Sequence, residues 1–237
     1  MNRSKPTSKK TKTEYKEFIN FLLKIEDLKK MPRKVWSLMG VENPETVAGH
    51  IFSLTFMAWI LGKDQKGLNI EKLLKMALCH EIASVYTGDL ITPYRKTLVK
   101  EKAEGRKIFQ KWPRLFKKEK ERKFIQDYKK ERQALQKLVK KLPVSLKEEL
   151  LEFFDDYKTL NSAEARFLNQ LNVLAVLLKG LQYHQTDPTL SVDFLWEWAF
   201  EKCESDVCFY FTEELENRFY GSSKKKDKTK KRRKSRA

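Results

Sequence analysis

From Glu14 onward, apolar residues recur at helical spacing. Phe18, Ile19, Leu22, Leu23, Ile25 and Leu28 form one stripe, and a period near 3.6 predicts an α-helix. Thr13 is placed to cap its start, and Pro32 ends it. Gly40 to Glu45 reads as a loop. Thr46 then precedes Val47, Ile51, Leu54, Met57, Ala58 and Leu61, an apolar helix closing near Gly62. Asn69 precedes Leu73, Leu74, Met76, Ala77 and Leu78, a helix that carries His80 near its C-terminal end. The stretch from Thr97 to Leu142 is helical by composition, heavily charged and divided by Pro113. Ser145 with Glu148, and Asn161 with Glu164, have the spacing of capping boxes. The second of these opens a long helix through Tyr183, with Phe167, Leu171, Leu174 and Leu178 on one face. One or two further helices cover Ser191 to Cys203 and Glu213 to Phe219.

The pattern predicts an all-α fold, and composition agrees. Of 237 residues, 41% are apolar and only 8 are Gly and 7 Pro, too few for a turn-rich β protein. That length supports one sizeable core, expected over residues 14–220. The three cysteines form no CxxC pair and read as reduced thiols in a cytoplasmic protein. No signal peptide is evident, and the longest apolar stretch, Ile51 to Leu61, is too short to span a bilayer, so no membrane partner is expected.

Charge changes the picture more. The net charge is +18, but residues 1–13 and 221–237 carry +5 and +9, and residues 94–141 carry +13. The remainder is acidic, at −9. Both terminal segments lack apolar periodicity and read as disordered basic tails. Residues 94–141 interleave Lys and Arg with Phe109, Trp112, Phe116, Phe124 and Tyr128. That pattern reads either as a solvated helical hairpin with an apolar underside or as a surface for nonspecific nucleic acid.

Three segments offer metal-binding side chains. They are Asn43-Pro44-Glu45-Thr46-Val47 with His50, the doublet His80-Glu81 followed by Thr87-Gly88-Asp89, and Ala163-Glu164-Ala165-Arg166-Phe167 followed by Asn172. A hydrolytic site needs a few rigidly held ligands and an open position for water, and side chains from separate helices meet that need. His50 or His80 alone also reads as a core histidine with a satisfied hydrogen bond. Arg33 also reads as a helix C-terminal cap, Trp36 as a core plug, and Asp89 after Gly88 as a turn residue.

Together with Pro32-Arg33, Trp36, Val41, Thr92-Pro93 and Tyr157, these segments resemble the HD-domain phosphohydrolases, in the 5'-deoxynucleotidase-like branch, over roughly residues 14–96 and 129–185. The resemblance implies an α-helical bundle, often a homodimer, that uses a divalent metal such as Mn, Co or Mg to remove phosphate from deoxynucleoside 5'-monophosphates or similar phosphomonoesters. Residues 94–141 are longer than the corresponding family segment and read as a charged helical insertion. By the same resemblance His50, His80, Glu81 and Asn172 are the metal ligands. Asp89 lies near the phosphate and the attacking water, Arg33 binds phosphate, and Trp36 packs on the sugar.

The chain departs from that pattern at Glu81 and Asn172, where the family has Asp, and at Ser84, where it has an acidic general acid/base. Gly49 replaces a polar or acidic residue. Asn172 offers a neutral oxygen, which weakens cation binding. Loss of a general acid/base costs about 100- to 10,000-fold in rate, with Glu45 and Asp89 as candidates to substitute. Three readings follow: a weakened phosphohydrolase, a pseudoenzyme that binds nucleotide without turnover, and a nucleic-acid-associated platform.

Overall fold

The computed structural model describes residues 11–90 and 116–234, with side chains to residue 221. Among the described residues the elements are helices α1 (Lys12–Ile25), a 3-10 turn (Glu26–Lys30), α2 (Lys34–Leu38), α3 (Val47–Gly62), α4 (Ile70–Cys79), α5 (Ser84–Thr87), α6 (Lys117–Val139), α7 (Val144–Thr159), α8 (Ala163–Thr186), α9 (Asp193–Lys202) and α10 (Asp206–Lys234).

Helix α8 is the axis. Leu168, Leu171, Val173, Leu174, Val176, Leu177 and Leu181 are all buried, more than one stripe can hold, so the helix is covered on several sides. Helices α3, α4, α7, α9 and α10 pack around it, while α6 packs on α5 and α7. One apolar cluster joins α2, α3, α4 and α8 to α10 through residues such as Trp36, Leu54, Met76 and Phe194. A second joins the starts of α3 and α5 to α6 and α7 through Val47, Ile82, Leu135 and Phe154. Helix α9 approaches α8 closely because residue 180 is Gly: a Cβ there would lie 2.2 Å from Leu195 Cδ1 and 3.3 Å from Trp36 Cη2.

Thr46 and Asn69, which precede two of the apolar runs, cap α3 and α4, accepting from the backbone N–H of Gly49 and Lys72. The three caps read from sequence differ. Thr11, not Thr13, caps α1, because Thr11 and Glu14 complete a reciprocal box. The α-helix also stops at Ile25 and tightens into the 3-10 turn before Pro32. Ser162, not Asn161, caps α8, while the Asn161 carbonyl accepts from Arg166. Ser145 falls inside α7, whose start at Pro143 has no side-chain cap; proline's fixed φ and missing N–H suit that position. Helix α2 falls in a stretch given no element from sequence. Helix α10 continues through Gly221-Ser222-Ser223 to Lys234, where the sequence reading starts a tail.

The segment read as an insertion divides in two. Its first part, with Phe109 and Trp112, lies outside the described residues. Its second part belongs to the core, since α6 buries Ala134, Leu135, Leu138 and Val139. Phe124 and Tyr128 stack on each other, Tyr128 stacks on Phe154, and its hydroxyl donates to Asp155 at 2.8 Å. No described helix is long and apolar enough to cross a membrane.

Candidate metal and phosphate site

The polar centre lies where the two apolar clusters meet. His50 is on the second turn of α3, between Ile51 of one cluster and Leu54 of the other. His80 closes α4, followed by Glu81 and the turn into α5. Asn172 and Tyr157 come from α8 and α7. The two imidazole rings lie edge to face, 5.5 Å apart, and His80 meets Tyr157 at 5.4 Å.

Hydrogen bonds define the donor atoms. His80 Nδ1 lies 2.7 Å from the Ala77 carbonyl. A carbonyl only accepts, so Nδ1 carries the proton and Nε2 presents a lone pair. That Nε2 is buried, has no hydrogen-bond partner, and lies 4.0 Å from Glu81 Oε1. His50 Nε2 donates to Asn172 Oδ1 at 2.8 Å, and the Asn172 amide donates to Tyr157 Oη at 3.2 Å. His50 Nδ1 is also without a partner and faces Glu45 Oε2, equally unpartnered, at 3.9 Å. Burial holds both imidazoles neutral, His80 at about 4 and His50 well below the usual histidine range.

A short antiparallel bridge between Pro32 and Thr46 ties the loop before α2 to the start of α3, with Arg33 N–H donating to the Glu45 carbonyl at 2.7 Å. It delivers the buried Arg33 guanidinium, whose Nη1 donates to Glu81 Oε1 at 3.1 Å and to Asp89 Oδ1 at 3.0 Å. Asp89 turns inward after Gly88, which has φ 71°, a conformation open to glycine at little cost. Its second oxygen accepts from the Lys34 N–H at 2.7 Å. Ser84 donates to Glu81 Oε2 at 3.2 Å. Burial works against ionisation of Glu81, but the charges of Arg33 and Lys158 outweigh it and hold the carboxyl well below the usual carboxylate range. Asp89 goes the other way, pushed up by burial against the pull of Arg33.

These groups open onto a cavity of about 420 Å³, walled by Arg33, Glu81, Asp89 and Asn172 and, from sides not foreseen in the sequence, by Glu131 and Lys158. That volume is in the range of small-molecule sites. Trp36 is placed elsewhere: it is fully buried, packs edge-on against Tyr183 at 5.3 Å, and is not part of the cavity wall. Its position makes it a core residue, with no face left for a sugar. Glu45 lies behind His50 and outside the cavity. Glu131 carried one legible signal, an acid in apolar register with Leu135 and Leu138 on α6. Lys158 carried none.

Two buried imidazoles of distinct helices, an inward Gly-Asp turn and an amide from the central helix are the arrangement the sequence resemblance implies. A sequence profile of the HD domain family matches residues 25–196. The chain belongs to the HD domain family. The 5'-deoxynucleotidase HDDC2 of Homo sapiens is 27% identical over 172 residues, covering 73% of this chain and 71% of its own. The 5'-deoxynucleotidase hdd1 of Schizosaccharomyces pombe is 24% identical over 171 residues, covering 70% and 72%. A conserved hypothetical protein from Pyrococcus furiosus superposes with a TM-score of 0.61 at 21% identity, over 84% of this chain and 97% of that one. A predicted metal-dependent phosphohydrolase from Magnetospirillum magnetotacticum superposes at 0.59 with 20% identity, over 86% and 92%. At these identities the structural likeness establishes the HD fold.

The HD family implies a divalent metal. Among the described residues no three His, Cys, Asp or Glu side chains form a ready cage. The donor chemistry nevertheless fits a cation: the orphaned His80 Nε2 is a buried lone pair without another use, and the Asn172 oxygen adds a fourth donor. The set carries one formal negative charge, on Glu81, and Arg33 already neutralises it.

Proposed function

We propose that this HD-domain chain is a phosphohydrolase that releases phosphate from a deoxynucleoside 5'-monophosphate or a similar phosphomonoester. The observation that carries the reading is the unpartnered, neutral His80 Nε2 held beside Glu81, His50 and Asn172. His50, His80, Glu81 and Asn172 would hold a divalent ion; Mn, Co and Mg are the candidates. When bound, such an ion polarises the phosphate and makes water a better nucleophile.

The chain's own residues do the rest. The Ala77 carbonyl fixes the His80 tautomer, as outer-shell partners of histidine ligands do. For His50 to ligate through Nε2, its ring proton must sit on Nδ1, the nitrogen that faces Glu45 Oε2 at 3.9 Å. Arg33 turns its guanidinium toward the phosphate, and Asp89, anchored by the Lys34 N–H, orients the attacking water. Ser84 aligns Glu81 instead of carrying a proton. The buried free thiols Cys79, Cys203 and Cys208 suit the reducing cytoplasm.

The Arg33 grip on Glu81 favours a second reading: a pseudoenzyme that binds nucleotide and does not turn over. Phosphate release from deoxy- and ribonucleoside monophosphates, measured with Mn, Co and Mg, decides. Turnover that His80→Ala abolishes supports the hydrolase; saturable nucleotide binding without phosphate release supports the second reading.

A further inference from the structure

Resting on the hydrolase reading, we propose that Glu131 is the proton donor to the leaving oxygen. The need arises because Ser84 cannot transfer a proton as a carboxyl does, and its hydroxyl is committed to Glu81. Among the described residues three carboxyl groups line the cavity: Glu81, Asp89 and Glu131. Both Glu81 oxygens accept hydrogen bonds, from Arg33 and Ser84. Both Asp89 oxygens do so as well, from Arg33 and the Lys34 N–H. Glu45, the remaining candidate, lies behind His50 and off the cavity wall. Glu131 gives one oxygen, Oε1, to Lys158 Nζ at 2.9 Å, so its second oxygen is the carboxyl position in the cavity wall not committed to Arg33 or its neighbours.

The surroundings also suit a proton carrier. Glu131 is 6% exposed. Burial pushes its carboxyl up, Lys158 on α7 pulls it down, and Glu81 across the cavity and Asp127 on its own helix push it up again, for a net rise. Arg33, Asp89 and Lys202 are the other charged groups among the described residues of that wall. A raised carboxyl keeps more of its acid form toward neutral pH.

In the step, water adds to phosphorus as the P–O5' bond breaks. The electron pair of that bond goes to O5', which takes the Glu131 proton and leaves as the alcohol. One proton of the attacking water stays on the phosphate, and the other returns to the Glu131 carboxylate.

The test compares Glu131→Gln and Glu131→Asp with wild type on deoxyadenosine monophosphate and on p-nitrophenyl phosphate, whose leaving group needs no proton. Calorimetric binding of Mn²⁺ and of deoxyadenosine monophosphate is measured in parallel. For Glu131→Gln the expected kcat loss is about 100-fold or more on the nucleotide, against about threefold or less on the activated ester, with both affinities within about twofold. The basic limb of the wild-type kcat profile disappears, and Glu131→Asp, which keeps an acid, recovers part of the rate. Equal losses on the two substrates, or an unchanged nucleotide rate, would overturn the assignment while leaving the hydrolase reading intact. Glu131→Gln that does not fold, with Glu131→Asp showing equal losses on both substrates, would overturn it too. A wild type that hydrolyses neither substrate removes both.

Discussion

Replacing Asn172 by Asp isolates the charge deficit of the site. Asn172 Oδ1 lies 2.8 Å from His50 Nε2, and its amide lies 3.2 Å from Tyr157 Oη. An Asp carboxylate keeps the His50 bond, and Tyr157 can rotate its hydroxyl to donate to the other oxygen. The shape is preserved, and one negative charge is added among four proposed ligands. In the metal-free protein that charge lies in a half-buried position beside a neutral imidazole, so Asn172→Asp melts no higher than wild type. With metal the sign reverses. Changes of this order at metal sites alter affinity about 10- to 100-fold, which is about 1.4–2.7 kcal/mol. For a domain of this size each kcal/mol shifts Tm by about 2–4 °C. Saturating Mn²⁺ should therefore raise the Tm of Asn172→Asp about 3–11 °C further than it raises that of wild type. A thermal melt with and without Mn²⁺ reads this directly. An Mn²⁺-induced shift no larger than that of wild type would refute the reasoning, because Asn172 would then lie outside the coordination sphere.

Other expectations concern the frame. Gly180→Ala gains about 1 kcal/mol of helix propensity, but its Cβ meets the buried Leu195 at 2.2 Å, and overpacking costs about 1–3 kcal/mol; Tm falls by a few degrees. The control Gly221→Ala, with nothing within 4 Å of the added Cβ, leaves Tm unchanged or slightly raised, and a fall equal to that of Gly180→Ala would contradict the packing argument. Lys72 bridges Asp156 at 2.7 Å and Glu164 at 3.7 Å. Burial opposes ionisation of both carboxyls, but Lys72 and backbone donors hold them below the usual range. A depressed folded-state pKa stabilises above the unfolded value of about 4, and that stability is lost as pH falls through the folded value. Urea midpoints should therefore decline below pH ~4 in wild type and more gently in Lys72→Met.

What the sequence made legible was whatever depended on pattern and on isolated polar residues. The helices after Thr46 and Asn69 followed the apolar runs that mark them. Where two polar residues competed, local bonding decided: Thr11 and Glu14 complete a reciprocal box, and Ser162 Oγ accepts from the Ala165 N–H. Motif spacing marks Arg33, His50, His80, Glu81, Asp89 and Asn172 as candidates, and the fold draws them together. Glu131 and Lys158 were not marked because their place in the cavity wall depends on how α6 and α7 cross. Trp36 was assigned by position in a motif, whereas its burial is decided by the gap at Gly180 and by Tyr183, distant in sequence.

At the edge of the cavity, two imidazoles, the Glu81 carboxylate and the Asn172 amide oxygen would together hold one cation. Anomalous diffraction from crystals of the wild-type chain soaked in Mn²⁺ tests it most directly. The predicted result is one peak about 2.0–2.3 Å from His50 Nε2, His80 Nε2, Asn172 Oδ1 and a Glu81 carboxylate oxygen. Occupied Mn²⁺ only at other positions, or no peak at concentrations that saturate any Mn²⁺-dependent phosphate release, would contradict it.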